Sequence, residues 1–254
     1  MSKLNWDRDN ERLYETGVDH VVLYPMNDDG TYGDGVAWNG ATGVTESPEG
    51  ADANDIYADN IKYLSLISKE DWKGTIKAYT YPDAFAAMQG EIPYSTVSSA
   101  DVLKALFGQQ ARKKFALSWR SLWGNDSKGD QYGYKIHLAY GLSAAPSEKD
   151  HATENDSPEA TEFSWEISSI PASVEANTNI PVVYNGSAGT ETLEAVSHVT
   201  ILSTNEYIST FEQKLYGVDE DLEEEIDDQP ATIPTIDDIV YMLGHGGSWP
   251  TPTP

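Results

Sequence analysis

Five histidines, 42 Asp and Glu residues and no cysteine make up the reactive inventory of this 254-residue chain. The histidines (His20, His137, His151, His198 and His245) fall at no spacing that a metal ion uses. His20, His137 and His198 lie in strand-like runs, where an imidazole on a sheet surface is the expected state. Without cysteine there is no disulfide framework, no thiolate nucleophile and no Cys-ligated zinc. The chain has no Gly-rich phosphate loop, no His-Glu-x-x-His and no Gly-x-Ser-x-Gly. With so many carboxylates, some pair falls at glycosidase separation by chance, so the acids alone define no hydrolase site. Asp28-Asp29-Gly30 through Asp34-Gly35 and the acidic run near the C-terminus lack the ligand order of an EF-hand. They read as a hairpin tip and a solvated linker. Seven Trp and 15 Tyr would suit a sugar platform, but sheet-core and interface aromatics are the simpler reading. The expectation is no catalytic residue, no cofactor and no metal.

Charge narrows the partners. The formal net charge is -26, from 16 basic residues against 42 acidic ones. Tight nucleic-acid binding needs a basic footprint, which this chain lacks. The charge is unevenly spread: residues 217–254 hold ten acids and no Lys or Arg. Lys104 to Lys135 holds seven bases and only Asp126 and Asp130. Within it, Arg112-Lys113-Lys114 suits an electrostatic contact with an acidic face of another subunit. A hydrophobic content of 39% is too rich for a wholly disordered chain. No apolar run approaches the roughly 18 residues of a membrane helix. The start, MSKLNWDRDNERLYETG, has no apolar signal core, so a protein made and kept inside a cell is expected.

The elements that must position these residues are mostly strands. Tyr132 to Leu142 alternates without a break: Tyr132, Tyr134, Ile136, Leu138, Tyr140 and Leu142 against Gly133, Lys135, His137, Ala139 and Gly141. This predicts a long strand, buried on one face and polar or small on the other. Phe115 to Trp123, including Trp119, alternates almost as well, and the turn-rich Gly124 to Asp130 joins the two as a hairpin. Phe163 to Ser168, Val18 to Tyr24, Val36 to Val44, Gly74 to Tyr81, Ile180 to Tyr184 and Val196 to Ser203 are further strands. Ile56 to Ser68 fits both templates and leans strand.

Helices are few. Ser98 to Asp101 opens one in capping-box style, with Val102, Leu103, Leu106 and Phe107 on one face and Gly108 as the stop. Asn205 to Tyr216 is amphipathic through Tyr207, Ile208, Phe211 and Leu215. Pro82 begins a helical turn that carries Phe85 and Met88. The acids between Asp219 and Asp228 repel one another and favour an extended linker. Thr235 to Leu243 is a short capped helix with Ile236, Ile239, Val240 and Leu243 as its stripe. Nine residues do not persist alone, so the stripe docks on this subunit or on a neighbour. The organisation is therefore 1–216 as the sheet domain, 217–234 as an acidic linker, and 235–254 as a helix and tail. Loops 27–35, 45–55 and 143–160 are the expected mobile ones.

Several stretches, taken in order, carry the chain further. They are Val36 to Ala51 (VAWNGATGVTESPEGA), Tyr57 to Leu64, Ala78 to Phe85, and Gly108 to Arg120 (GQQARKKFALSWR). Gly124-Asn125-Asp126, Gly133 to Gly141 (GYKIHLAYG), Asn155 to Glu159, Ser164-Trp165-Glu166, Leu215-Tyr216-Gly217 and Ile233 to Val240 follow. Across essentially the whole chain this order resembles the major tail proteins of long-tailed, non-contractile bacteriophages. Trp119 stands where that family carries Tyr, and the 219–228 run is unusually acidic. The resemblance implies a mainly β fold, an antiparallel β-sandwich with a flanking α-helix. It implies six copies per ring, with long hairpins joined as an inter-subunit β-barrel and rings stacked into a tail tube. The implied partners are the chain itself, a tape-measure protein in the lumen, and tail-tip initiator and tail-terminator proteins. DNA would pass through without specific binding. No enzymatic activity, cofactor or membrane is implied, and the place is the virion, after synthesis in the host bacterial cytoplasm.

The residues agree with this at three points. Long alternating strands expose edges that a multi-subunit barrel would close, and the Phe115–Leu142 hairpin, with Trp119, Tyr134, Ile136, Leu138 and Tyr140, is the candidate. Its polar face would line the lumen or pack on a neighbour. An acidic bore would repel phosphates and prevent sticking. Head-to-tail stacking is a heterologous contact that builds a filament, to which Arg112, Lys113 and Lys114 would contribute. The Ile236, Ile239 and Val240 stripe would tether an adjacent subunit. The alternative from another class is a carbohydrate-binding or carbohydrate-cleaving β-sandwich of tail-tip or adhesion type.

Overall fold

The alternation from Tyr132 to Leu142 becomes the centre of the longest strand in a computed structural model of the chain. The structure describes residues 6–50, 52–95, 104–146, 148–149, 153, 160–174, 179–184, 187–203, 207–218 and 229–250. Among them the strands are β1 (Leu13–Pro25), β2 (Val36–Ala37), β3 (Ala41–Glu46), β4 (Glu49–Gly50), β5 (Ala53–Ala58) and β6 (Ile61–Ile67). Next come β7 (Glu70–Asp71), β8 (Lys73–Ala78), β9 (Ile92–Ser95), β10 (Lys104–Phe107), β11 (Phe115–Asn125) and β12 (Gly129–Ala144). The last four are β13 (Phe163–Ser169), β14 (Asn179–Tyr184), β15 (Ser187–Thr192) and β16 (His198–Ser203). A 3₁₀ turn spans Asp83–Ala87, and the helices are α1 (Tyr207–Tyr216) and α2 (Ile236–Gly244).

An eight-stranded antiparallel sheet orders β2-β1-β11-β12-β13-β8-β3, with β16 also on β12. Its two faces bury different cores. Leu23, Phe115, Leu117, Trp119, Ala139 and Leu142 share one core with Ile76, Trp165 and Ile167 from β8 and β13. Strands at opposite ends of the order thus line one interior, and β3 returns alongside β1. The sheet folds over on itself, and the architecture is mainly β with a sandwich-like core, as expected. Phe85 and Met88 of the 3₁₀ turn plug this core.

The opposite face carries Val22, Tyr24, Ala116, Ile136, Leu138 and Tyr140. Both helices cover it, through Ile208, Phe211 and Leu215 of α1 and Ile236, Ile239 and Met242 of α2. Burial of each such side chain contributes roughly 1.5–3 kcal/mol. Polar tips fix the docking: the Tyr24 hydroxyl donates to Leu215 O at 2.7 Å, and the Tyr140 hydroxyl to Pro234 O at 2.9 Å. The α2 cap is reciprocal, with Asp238 N donating to Thr235 Oγ1 and Thr235 N to Asp238 Oδ2, both at 3.1 Å. Gly141 has φ +62°, and a Cβ there would lie 2.1 Å from Ile170 O, so no other residue fits where β12 turns from β16 toward β13.

Some expectations change and others gain detail. The helix predicted over Ser98 to Gly108 is absent where the chain is described: Lys104–Phe107 is strand, paired with Ile92–Ser95, and 96–103 lie outside the described residues. A backbone partner outweighs the local helical spacing of Leu106 and Phe107. The ambiguous Ile56 to Ser68 segment is strand, but as parts of two strands of one hairpin. Asp59 and Asn60, at φ +52° and +62°, make its tight turn. The acidic 219–228 run lies outside the described residues; Val218 and Gln229, which flank it, exchange backbone hydrogen bonds of 2.9 and 2.8 Å. Finally, the polar or small face of β12 is itself buried at its middle, since Ile136 faces the helices while Ala139 faces the sandwich core.

Candidate functional site

The β5–β6 hairpin stands apart from both cores. It forms its own two-stranded sheet, and Ile56, Tyr57, Ile61, Tyr63, Leu64, Leu66 and Ile67 are all exposed. Tyr57 retains 67% and Ile67 73% of their accessible surface. A two-stranded ribbon with solvent on both faces has no core of its own. What polar support it has is local, with Lys62 Nζ 2.8 Å from Asp55 Oδ1 and the Ser65 hydroxyl donating to the same atom at 2.6 Å. The β9–β10 hairpin repeats the pattern with Ile92, Tyr94, Leu106 and Phe107 exposed. Contiguous exposed apolar surface on this scale marks an interaction site. Open sheet edges accompany the arms: among the described residues, Leu13–Thr16 of β1 pair only with β11, and β16 pairs only with β12.

The residues singled out from sequence as assembly contacts lie elsewhere. Ile136, Leu138 and Tyr140 are completely or almost completely buried beneath α1 and α2, and Ile236 and Ile239 fill the same core from the helix side. Trp119 is buried in the sandwich core. Tyr134 is half-buried, with the Arg120 guanidinium 4.5 Å above its ring. Val240 is half-buried in a cleft with Ile180, Leu193 and Val199. The buried members of this set serve the chain's own packing and are not surface that a neighbour can reach. β12 itself is an interior strand with partners on both edges. Arg112 and Lys113 do reach the surface and Lys114 is half-buried, although Arg112 Nη1 also donates to Ala144 O at 2.7 Å. Of the aromatics behind the sugar-platform alternative, Trp38, Trp72, Trp119 and Trp165 are buried, whereas Trp6, Tyr57, Tyr63 and Tyr94 are exposed.

Sequence reasoning passed over the arms, although the signal was present. In Ile56-Tyr57, Tyr63-Leu64 and Leu66-Ile67, apolar residues occupy both alternating faces. Such a strand is sandwiched between two layers or awaits a partner.

One polar cluster sits at the mouth of the sandwich core. His137 stacks on Trp119 with centroids 5.0 Å apart and planes 2° apart, and His198 stacks on Trp72 at 5.7 Å. The register explains the meeting: Trp119 pairs with His137 across β11–β12, and His137 with Thr200 across β12–β16. Glu46, at the end of β3, places Oε1 3.4 Å from His137 Nδ1 and 3.5 Å from His198 Nε2. The hydrogen bond from His137 holds the Glu46 carboxyl below the usual range, whereas burial pushes the His198 imidazole down. Glu15 joins from β1, paired with Lys135 and accepting from the Ser121 hydroxyl at 2.6 Å. Glu46, His137 and His198 are ligand types brought together by strand register and folding over of the sheet, not by sequence spacing.

A second polar set fastens α1. Arg120 donates to Asp19 through Nε at 2.8 Å and Nη2 at 2.9 Å, and to Glu212 of α1 through Nη1 at 2.8 Å. Its hydrogen bonds hold the Asp19 carboxyl below the ordinary aspartate range.

No family model matches the chain, and no curated protein matches it. Among solved structures it is similar to a chain in the cryo-EM structure of an extracellular contractile injection system, the PVC sheath-tube complex in the extended state. The identity is 8%, the match covers 68% of this chain and 89% of that one, and the TM-score is 0.28. A likeness at that score carries no argument about fold or role.

Proposed function

We propose that this chain is a structural subunit of a bacteriophage tail tube, a non-enzymatic brick whose copies form stacked hexameric rings around a lumen that conducts the genome. The observation that carries the reading is the pair of apolar β-arms, which the chain's own fold leaves uncovered. Burying them against a neighbouring copy would supply the missing core, and pairing the open edge of β1 or β16 would remove a strand edge. The resemblance of the ordered segments from Val36 to Val240 to major tail proteins names the kind of assembly. An overall charge of -26 suits a conduit that repels phosphates. In this reading a tape-measure protein fills the lumen, initiator and terminator proteins bound the tube, and the place is the virion. Four of the seven tryptophans that a carbohydrate module would use are core residues, which disfavours that reading.

Electron microscopy of concentrated protein, alone and with a tail-tip initiator, tests the proposal. Tubes of uniform width are expected under at least one of these conditions. A monomer that persists in both, with glycan binding, would overturn it.

A further inference from the structure

Glu46, His137 and His198 come from β3, β12 and β16, and one ligand atom of each lies within 4.8 Å of the others. Glu46 Oε1 is 3.4 Å from His137 Nδ1 and 3.5 Å from His198 Nε2. Thr200 Oγ1 stands at the same separations, 3.4 and 3.5 Å, from the same two nitrogens. Around a tetrahedral ion with bonds of about 2.0–2.1 Å, neighbouring ligand atoms are ~3.3 Å apart. Four edges of such a tetrahedron are close to formed, with Thr200 at the solvent-facing corner.

The far side of His137 bears on which atom is free to ligate. Its Nε2 is 3.0 Å from Ser121 Oγ and 3.4 Å from Glu15 Oε1. Ser121 gives its own proton to Glu15, so it offers His137 a lone pair. With its proton on Nε2, His137 would present the Nδ1 lone pair to an ion, in place of its hydrogen bond to Glu46. A histidine whose other nitrogen is held by a carboxylate and hydroxyl pair is also the usual outer support of a metal ligand.

We propose that Glu46, His137 and His198 form a binding site for one first-row divalent transition-metal ion, with zinc the best match to two imidazoles and a carboxylate. The two imidazole rings lie 19° from parallel, so His198 must turn about its Cβ–Cγ bond to converge on the ion. That torsion is broad for histidine. His198 is also the more solvent-open of the two rings. The ion would tie β3 to the β12–β16 pair and enter past exposed Thr200. The site lies within one subunit, so it stands or falls independently of assembly.

The test uses untagged full-length protein, stripped with EDTA, dialysed, and titrated with Zn²⁺ by calorimetry and with Co²⁺ by absorbance. One equivalent of Zn²⁺ is expected to bind and raise the melting temperature, as binding to the native state alone requires. Co²⁺ should show visible d–d bands and quench tryptophan emission, because Trp72 and Trp119 stack on the ligand rings. Mg²⁺ in roughly hundredfold excess should not compete, since it prefers all-oxygen octahedral sites. Glu46→Gln and His198→Gln, each checked for native circular dichroism, should weaken Zn²⁺ binding at least ~10-fold, by analogy with the loss on disturbing even outer-shell partners. His245→Gln should bind as the parent does. Absence of stoichiometric Zn²⁺ binding, displacement by Mg²⁺, or unchanged affinity in both folded variants would overturn the site. A proton in place of the metal, making His137 an imidazolium between Glu15 and Glu46, would appear as the first of these outcomes.

Discussion

β12 and the β5–β6 arm are made of the same kinds of residue and have opposite fates. Ile136, Leu138 and Tyr140 of β12 vanish beneath α1 and α2, while Ile61, Tyr63 and Ile67 of the arm stay in solvent. Hydrophobicity does not separate them; available partners do. β12 has β11 on one edge, β16 and β13 on the other, and helices above it. Among the described residues the arm pairs only with its own second strand. The folded chain therefore buries its apolar residues at its centre and leaves them exposed at its projections. Mutations at the centre should register as loss of folding, and mutations at the arm as loss of joining.

The largest effect is expected at Leu138→Ala. The side chain is fully buried between β12 and the helices, so the loss should be ~2–5 kcal/mol, transfer and cavity terms together. Chemical denaturation of the monomer measures it. A loss below about 1 kcal/mol, typical of surface sites, would mean that the helices do not cover this face in solution.

Arg120→Ala comes next. It removes a guanidinium that joins β1 through Asp19 and α1 through Glu212, and it leaves Glu212 without that partner. Breaking a buried pair costs about 3–5 kcal/mol, but the Asp19 side chain is 41% exposed, so ~2 kcal/mol is the scale here. Hydrogen exchange should show the loss concentrated in α1.

Acid supplies a smaller, graded version of the same test. Asp19 is held below the ordinary aspartate range by the Arg120 hydrogen bonds. A depressed folded-state pKa contributes stability that is fully present above the unfolded value of about 3.9 and is lost as pH falls through the folded value. Asp19→Asn should therefore flatten the low-pH limb of the stability profile below pH ~4 and leave that limb's dependence on Arg120 small. An unchanged limb would remove Asp19 from the account.

Legibility in the sequence follows the same divide. β12, β13, α1 and α2 were readable because each buries residues whose periodicity records its own face: Ile136-x-Leu138-x-Tyr140 for a strand, Ile236 and Ile239 for a helix. The α2 cap was readable because Thr235 and Asp238 are close in sequence and bond directly. Lys104–Phe107 was misread because four residues satisfy either period, and the deciding partner, Ile92–Ser95, is remote. The sites were least legible. The arm lacks any single periodic face, and the Glu46, His137 and His198 cluster depends on where β3 lands once the sheet folds over. No local pattern carries either.

The smallest effect on folding, and the sharpest contrast, is expected at the arm. Ile61→Ser and Ile67→Ser together replace side chains that are 64% and 73% exposed and touch neither core. Surface changes of this kind alter stability by no more than about 0.5 kcal/mol each. Denaturant midpoints should therefore be close to those of the parent chain, far from the Leu138→Ala value. Assembly should respond in the opposite order. If each arm buries these side chains against the next copy, the loss recurs at every joint of a filament, so a deficit of a few kcal/mol per contact abolishes growth. Electron microscopy and sedimentation of the double variant beside the parent give the readout. Tubes formed at the parent's concentration would show that the arm's exposed residues are not the joint, and the contrast between centre and projection would then describe folding alone.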